Sequence, residues 1–222
     1  MVRDRSHGQG RVIPLPTMCN PEGVPLQHEA IELAGLTRDE RYKLLTGAVI
    51  PRPIALVTTV SPNGRINAAP YSQFVIIAVD PGLLGISIGP RAGGPKDTLA
   101  NIERTGEFVI NMVPSDWASI VQDASIEHPP EISEVDLLHI ETVPSVSVRP
   151  PRIACSPVHF ECKLERIETF GSAPNAFVVG EVVLMHVTEG LANNCKIDPK
   201  TYSPLARIGG RNYVRLGDII CV

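Results

Sequence analysis

Residues 89–106 read Gly-Pro-Arg-Ala-Gly-Gly-Pro-Lys-Asp-Thr-Leu-Ala-Asn-Ile-Glu-Arg-Thr-Gly and follow an apolar run at residues 83–88. The apolar run is typical of a buried strand, and the glycines and prolines after it predict a bend. Asp97 is the predicted N-cap of a helix that Gly106 ends. Because a helix N-terminus carries unpaired N–H groups and partial positive charge, this order predicts an anion site. The same pattern also occurs as a simple turn.

Three residues are candidates for holding the anion. Lys96 lies just outside the predicted helix start and Thr98 just inside it, so that both could contact a phosphate. Arg52 stands between two prolines, directly before a β-type run. The prolines restrict the backbone and are expected to direct Arg52 towards the rim of the fold, where it either binds an anion or is an ordinary surface arginine.

Length and composition restrict the class of protein. The chain has 222 residues, 43% of them apolar, and a formal net charge of -4. We therefore expect an irregular arm over residues 1–35, which wraps a neighbouring subunit, and one globular domain over residues 36–222. The charge offers no basic surface for nucleic acid, and no apolar run approaches the roughly 20 residues that cross a bilayer. A cytoplasmic protein that binds neither nucleic acid nor membrane is expected.

The pattern of short apolar runs predicts a mainly β protein. Thr37 and Glu40 form a capping box, which predicts a helix that ends near Gly47, and Ser61-Pro-Asn-Gly64 is typical of a hairpin turn. Seven β-type runs with two or three helices indicate a closed or nearly closed antiparallel barrel. An acidic, proline-rich excursion over the sheet is expected at residues 117–151. The predicted strands cover residues 54–60, 65–69, 73–79, 83–88, 107–113, 158–167 and 176–187.

Several other features bear on the chemistry. Residues 67–73 are small and polar, so they predict a loop that lets a flat ring approach the backbone, with Ser72 and Gln73 as hydrogen-bonding groups, or else an ordinary β-turn. The five scattered cysteines are expected to be reduced thiols, and the six histidines lack metal-ligand spacing. No hydrolase elbow, phosphate-binding Walker loop or dinucleotide fingerprint occurs. Chemistry without catalytic side chains or a metal suggests a cofactor.

Six short motifs occur in a fixed order along the chain. They are Ile50-Pro-Arg-Pro-Ile-Ala55, Asn67-Ala-Ala-Pro-Tyr-Ser72, Lys96-Asp-Thr-Leu-Ala-Asn-Ile102, Gly106-Glu-Phe-Val-Ile-Asn111, Ser156-Pro-Val-His-Phe-Glu-Cys162 and Gly180-Glu-Val182. Together they resemble the flavin reductase-like family of FMN-binding split barrels, over about residues 40–215. The resemblance implies an antiparallel, Greek-key-like split β-barrel that forms a homodimer and binds FMN near the subunit boundary.

The resemblance also assigns roles to individual residues. FMN would carry the chemistry, with no catalytic side chain. Arg52, Lys96 and Thr98 are implied to hold the phosphate, and Asn175, Arg207 and Tyr213 are candidates on the substrate side. The remaining implied FMN-binding residues are Pro53, Ala69, Ser72, Gln73, Ser87, Ile88 and Asp97.

Two activities are compatible with this resemblance. One is an NAD(P)H:flavin reductase that transfers hydride from NADH or NADPH to FMN and supplies reduced flavin to a monooxygenase. The other is an FMN-containing electron carrier, similar to flavoredoxin, that exchanges electrons with a protein partner. Many NADH-dependent members carry a Gly-Asp-His element before the Gly-Glu-Val strand, whereas this chain has Gly171-Ser-Ala-Pro-Asn175, with Asn175 at the histidine position. This departure leaves both activities open.

Overall fold

The computed structural model describes residues 28–91, 93–129 and 131–222. They fall into two compact units, one that ends at Arg41 and another from Tyr42 to Val222. Residues 1–27, which include most of the predicted arm, lie outside the described residues, so its role remains a prediction. In the first unit Thr37 and Glu40 form the predicted capping box. The Glu40 carboxylate accepts from the Thr37 N–H at 2.8 Å, and the Glu40 N–H donates to the Thr37 hydroxyl at 3.3 Å.

The seven predicted strands and the two located helices occur in the predicted order, with short additional elements between and after them. Two 3-10 turns cover Leu33–Gly35 and Ser115–Trp117. The helices are α1 (Arg38–Ala48), α2 (Asp97–Thr105), α3 (Ala118–Asp123), α4 (Glu134–Leu137) and α5 (Pro199–Tyr202). The strands are β1 (Arg52–Pro53), β2 (Ala55–Val60), β3 (Ile66–Tyr71), β4 (Phe74–Val79), β5 (Gly82–Ile88), β6 (Glu107–Met112), β7 (Thr142–Val143), β8 (Arg152–Ile153), β9 (Val158–Phe170), β10 (Asn175–Val187), β11 (Ala192–Asn193), β12 (Lys196–Ile197), β13 (Leu205–Gly209) and β14 (Asn212–Arg215).

Seven of these strands form one antiparallel sheet in the order β3-β2-β6-β9-β10-β5-β4. Its two edge strands, β3 and β4, are consecutive in the chain and are joined by Ser72 and Gln73 alone. A flat sheet of seven strands would place its edges about 28 Å apart, whereas two connecting residues span only about 10 Å. The sheet must therefore curl until its edges approach each other. This confirms the predicted mainly β, antiparallel fold.

Both faces of the curled sheet are buried around β2. Because side chains alternate along a strand, Ala55 and Val57 face the inner core while Ile54 and Leu56 face the opposite side. All four are at most 1% exposed. The outer face is covered by the acidic excursion, which contributes the buried residues Val121, Ala124, Val135 and Ile140. The excursion predicted to lie over the sheet is thus a packed layer with its own core.

Buried polar side chains tie the excursion to the sheet. The Thr58 hydroxyl donates to the Pro151 carbonyl at 2.6 Å, and the Asn111 side-chain oxygen accepts from the Ile153 N–H at 2.8 Å. The fully buried Glu161 carboxylate accepts hydrogen bonds from the backbone N–H groups of Val146 and Ser147, which belong to the excursion. These partners satisfy backbone groups that the packing removes from water.

The two edges of the sheet are treated differently. At β3, the Ser133 hydroxyl donates to the Ile66 carbonyl at 2.7 Å and the Glu134 carboxylate accepts from the Ala68 N–H at 3.1 Å, so that the start of α4 covers this edge. At β4, by contrast, Val75, Ile76, Ile77 and Val79 have exposed fractions of 50%, 68%, 43% and 87%. The second edge therefore carries an apolar surface, the β4 surface, which is defined by these four residues.

One sequence-based expectation about local structure needs correction. Residues 67–73 are not one loop, because residues 67–71 continue β3 and pair with β2 up to Ala55 opposite Tyr71. Long-range pairing here overrides the low strand propensity of small and polar residues. The hairpin of β13 and β14 was not predicted. The turn at Ser61–Gly64 is confirmed, with the Gly64 N–H donating to the Ser61 carbonyl at 2.9 Å.

Four cysteines lie in the described part of the chain, and all four are free, as predicted. They are Cys155, Cys162, Cys195 and Cys221, while Cys19 lies outside the described residues. Of the helices described, none has the length and apolar character needed to cross a membrane.

Candidate functional site

A cavity of about 170 Å³, the α2 cavity, lies between β3, the start of α2 and residues 124–128 of the excursion. Helix α2 begins at Asp97, so Lys96 and not Asp97 is its N-cap. The predicted N-cap was wrong because the Asp97 carboxylate instead accepts from the Arg91 guanidinium at 3.1 Å. With no side-chain cap from its N-cap residue, α2 directs N–H groups and partial positive charge at the cavity.

The structure brings some of the predicted cofactor residues together. Ala69, Lys96, Asp97 and Thr98 all line the α2 cavity. Arg91, which the sequence analysis did not select, lines it as well. The available signal was a basic residue inside the Gly- and Pro-rich bend, but a bend alone does not say where its side chains lie. A basic pair, Arg91 and Lys96, therefore stands at the start of α2.

The same basic pair also lines a second cavity of about 330 Å³, the β5 cavity. Its walls include Ile88 at the end of β5, Leu99 of α2 and Ile167 of β9. Two predicted residues, Ile88 and Lys96, therefore line this cavity. The two cavities offer apolar walls on one side of the basic pair and polar groups on the other.

Tyr71 is the residue that most clearly marks a ligand site. It lines the α2 cavity and is only 8% exposed, and no group in the described part of the chain meets hydrogen-bond geometry with its hydroxyl. Burial raises the pKa of the Tyr71 phenol well above its usual range, despite the Thr98 hydroxyl beside it, so the group remains an O–H donor. Buried polar groups without partners are rare and costly, which points to a ligand that accepts from Tyr71.

Three carboxylates also line the α2 cavity. Asp97 is paired with Arg91, and Glu127 lies 3.3 Å from the Lys96 ammonium. Burial raises the pKa of Glu134, although the Ala68 N–H that it accepts opposes the shift. Both cations of the basic pair are thus neutralised by this chain's own carboxylates, and an incoming anion has to compete with them.

Arg52 does not join Lys96 and Thr98, contrary to the expectation that the three converge on one anion. Its guanidinium donates to the Val49 carbonyl at 2.7 Å and to the Thr46 carbonyl, and it approaches Ser72 Oγ at 3.4 Å. Arg52 is 8% exposed, so it is neither a surface arginine nor a lining residue of the two cavities. Main-chain carbonyls hold the side chain because burial leaves no water to solvate it.

The other predicted FMN-binding residues lie around the β3–β4 connection. The Ser87 N–H donates to the Gln73 carbonyl at 2.9 Å, which links β5 to the residue before β4. Ser72 contacts Arg52, and Pro53 pairs with Ala206 in the sheet of β1, β13 and β14. Their roles towards FMN remain predictions.

The substrate-side candidates fall into two places. Arg207 and Tyr213 lie opposite each other in the β13–β14 hairpin, where Arg207 donates to the Tyr213 hydroxyl at 2.7 Å and stacks 4.7 Å above its ring centre. Asn175 begins β10, beside Gly89. None of the three lines the α2 or β5 cavity. Within the described residues, no three His, Cys, Asp or Glu side chains are arranged to hold a metal ion.

The family profile of the flavin reductase like domain matches residues 46–210, which include both cavities. The chain belongs to the flavin reductase-like family. A relative from Halalkalibacterium halodurans is 41% identical over 188 residues, which cover 82% of this chain and 90% of that relative. The predicted family is therefore confirmed.

Several solved structures share the fold. Nitrilotriacetate monooxygenase component B from Bacillus cereus is 33% identical with a TM-score of 0.85, covering 89% of this chain and 100% of its own. The Pseudomonas fluorescens 2-nitrobenzoate 2-nitroreductase NbaA is 36% identical with a TM-score of 0.80, covering 87% and 95%. A split-barrel protein from Shewanella frigidimarina, 20% identical with a TM-score of 0.76 over 85% and 94%, supports the fold alone. The predicted split barrel is confirmed, and the family supports an oxidoreductase flavoprotein.

Proposed function

We propose that this flavin reductase-like protein is an FMN-dependent oxidoreductase that binds the flavin phosphate in the α2 cavity. The observation that carries the proposal is the buried Tyr71 hydroxyl, which has no hydrogen-bond partner among the described residues and shares the cavity lining with the basic pair of Arg91 and Lys96. A phosphate dianion accepts hydrogen bonds from all three groups and favours the positive end of a helix. The donor set therefore suits FMN better than it suits an uncharged flavin.

The proposed roles of the residues follow from their positions. Lys96, Arg91 and Thr98 bind the phosphate, and Tyr71 donates its free hydrogen bond to it. When bound, FMN supplies the redox chemistry, taking up a hydride and passing electrons to an acceptor. The predicted contacts to the ring or ribityl chain are Ala69, Ser72, Gln73, Ser87 and Ile88.

The proposed activity is reduction of FMN by NADH or NADPH, with delivery of reduced flavin to a partner monooxygenase in the cytoplasm. The Bacillus cereus neighbour is a component of a monooxygenase, and the Pseudomonas fluorescens neighbour is a nitroreductase, both of which support reductive chemistry at this fold. The alternative is an electron carrier without its own nicotinamide site. The amide of Asn175, at the position where histidine is usual in NADH-dependent members, favours this alternative.

Rapid mixing separates the two activities. The FMN-loaded protein is mixed without oxygen with NADH and, separately, with NADPH, and the absorbance of oxidised flavin is followed. We expect one nicotinamide to remove this absorbance within seconds, because the reductase positions the donor over the flavin. Dithionite serves as the control that the bound flavin can be reduced. Reduction by dithionite but by neither nicotinamide would reject the reductase and favour the electron carrier.

We further propose a homodimer that covers the β4 surface. Val75, Ile76, Ile77 and Val79 expose an apolar edge strand, and an uncovered edge of this kind is a template for aggregation. A second copy of the chain is always present in solution, and in a symmetric dimer the β4 surfaces of the two copies pack against each other. The β4 surface therefore supports the dimer that the family resemblance implies.

Ile76→Glu is expected to weaken dimer formation at least tenfold, because it places a charge in the proposed apolar contact. Light scattering at micromolar concentration should give twice the chain mass for the wild type and a value near one chain mass for the variant. Val146→Glu is the matched control, because Val146 is 73% exposed on the excursion and is not part of the β4 surface. A monomeric wild type, or equal masses for both variants, would contradict the proposal.

A further inference from the structure

The wall of the α2 cavity that faces Lys96 comes from the excursion. Helix α3 ends at Asp123, and a turn follows in which the Ile126 N–H donates to the Asp123 carbonyl at 3.1 Å. This turn places Glu127 at the cavity, where its carboxylate lies 3.3 Å from the Lys96 ammonium. The negative charge nearest to Lys96 is thus delivered by a different element from the one that carries Lys96.

The ion pair between Lys96 and Glu127 is easily broken. Its side chains are 33% exposed at Lys96 and 56% exposed at Glu127, and ion pairs with this exposure are weak. A phosphate dianion beside Lys96 offers a stronger charge-assisted contact, helped by Tyr71 and the start of α2. The Glu127 carboxylate and the phosphate therefore compete for the same Lys96 ammonium group.

The Glu127 carboxylate still affects phosphate binding after the phosphate has displaced it from Lys96. Glu127 belongs to the lining of the cavity, so its charge remains near the phosphate after the exchange unless the side chain turns into solvent. The Glu127 carboxylate and the phosphate carry like charges and repel each other, and exposure to water reduces this repulsion without removing it. Glu127 therefore opposes the phosphate twice, first by occupying Lys96 and then by repulsion.

We propose that Glu127 competes with the flavin phosphate for Lys96 and thereby sets how tightly FMN is held, favouring a flavin that exchanges over one that stays resident. The inference rests on the proposed phosphate site and adds a residue that determines the choice between FMN and riboflavin. Asp97 does not compete for Lys96 itself, because its carboxylate is paired with Arg91 at 3.1 Å.

The test compares FMN and riboflavin in fluorescence titrations of the full chain. Glu127→Gln is expected to lower the Kd for FMN by about two- to tenfold, mainly through slower release, and to leave the Kd for riboflavin unchanged. Glu131→Gln is the matched control, because Glu131 is an exposed carboxylate of the same excursion outside the cavity lining. In a Lys96→Ala background, the gain from Glu127→Gln should be smaller, since the competition for the ammonium is gone.

Each result decides between the inference and the proposed function. Tighter FMN binding by Glu127→Gln alone, with riboflavin unaffected, supports the competition. Wild-type binding of FMN with an unchanged or weakened affinity in Glu127→Gln would overturn this inference and leave the proposed function intact. An equal change for riboflavin, or an equal effect of Glu131→Gln, would also overturn it. A wild type that binds neither flavin would overturn both.

Discussion

Lys96→Ala is expected to weaken FMN binding by about tenfold to more than a hundredfold and to leave riboflavin binding almost unchanged. The variant removes a charge-assisted contact of about 1.5–3 kcal/mol to the phosphate, and riboflavin has no phosphate. Fluorescence quenching during titration with each flavin gives both dissociation constants.

The comparison between the two flavins is what makes this measurement decisive. A general folding defect weakens both ligands alike, whereas loss of a phosphate partner weakens FMN alone. Lys200→Ala is the matched control, because Lys200 lies in α5 and lines neither the α2 nor the β5 cavity. Equal losses for FMN and riboflavin in Lys96→Ala would mean that the phosphate lies elsewhere.

Glu161→Gln is expected to reduce the free energy of unfolding by about 2–4 kcal/mol at neutral pH, because hydrogen bonds to a buried charge are strong and unsatisfied donors are costly. The fully buried Glu161 carboxylate accepts from the N–H groups of Val146 at 2.9 Å and Ser147 at 2.5 Å, and from His186 Nε2 at 2.6 Å. A glutamine offers one acceptor oxygen and turns an N–H₂ group towards these donors. Urea unfolding followed by the fluorescence of Trp117, which packs against the outer core, measures the loss.

The pH dependence of this loss has a defined sign. Burial by itself raises the pKa of Glu161, but the two N–H donors and His186 outweigh it and hold the pKa below its usual range. The stability from Glu161 is therefore fully present above the unfolded pKa of about 4.3 and is lost as the pH falls through the folded pKa. The difference between wild type and Glu161→Gln should therefore shrink as the pH falls into the acid range.

Glu165→Gln is the control on the same strand, because the Glu165 carboxylate is 42% exposed and its ion pair, at 3.4 Å, is with the exposed neighbour Arg166. We expect it to change stability by less than about 1 kcal/mol. If Glu161→Gln proves as mild as this control, Glu161 does not hold the excursion against the sheet.

Local patterns were sufficient to predict several of the elements. The strand, bend and helix of residues 83–106, the hairpin at Ser61–Gly64 and the capping box of Thr37 each depend on residues within a few positions of one another. Gly106, for example, ends α2 with a φ of 67°, a conformation that glycine adopts without a steric penalty. Such features are readable from sequence because their energetics are local.

The start of α2 shows what local sequence patterns cannot predict, which is the partner of each polar side chain. Asp97 has the chemistry of an N-cap, but an arginine six residues earlier in the chain binds its carboxylate, and the helix begins one residue sooner. Arg52 has the chemistry of an anion ligand, yet main-chain carbonyls surround its guanidinium. In both cases the side chain was identified correctly and its partner was not.

The sequence by itself determined the family, the antiparallel β architecture and three residues at the start of α2 that line the candidate site, Lys96, Asp97 and Thr98. Only the tertiary structure added Arg91, Tyr71 and Glu127, and only it removed Arg52 from the cavity. The physical reason is that a sequence shows which donors, acceptors and charges are present, but not which of them pair in the folded protein. Burial and pairing depend on which distant segments the curled sheet brings together, and these alone decide which polar groups remain free for a ligand.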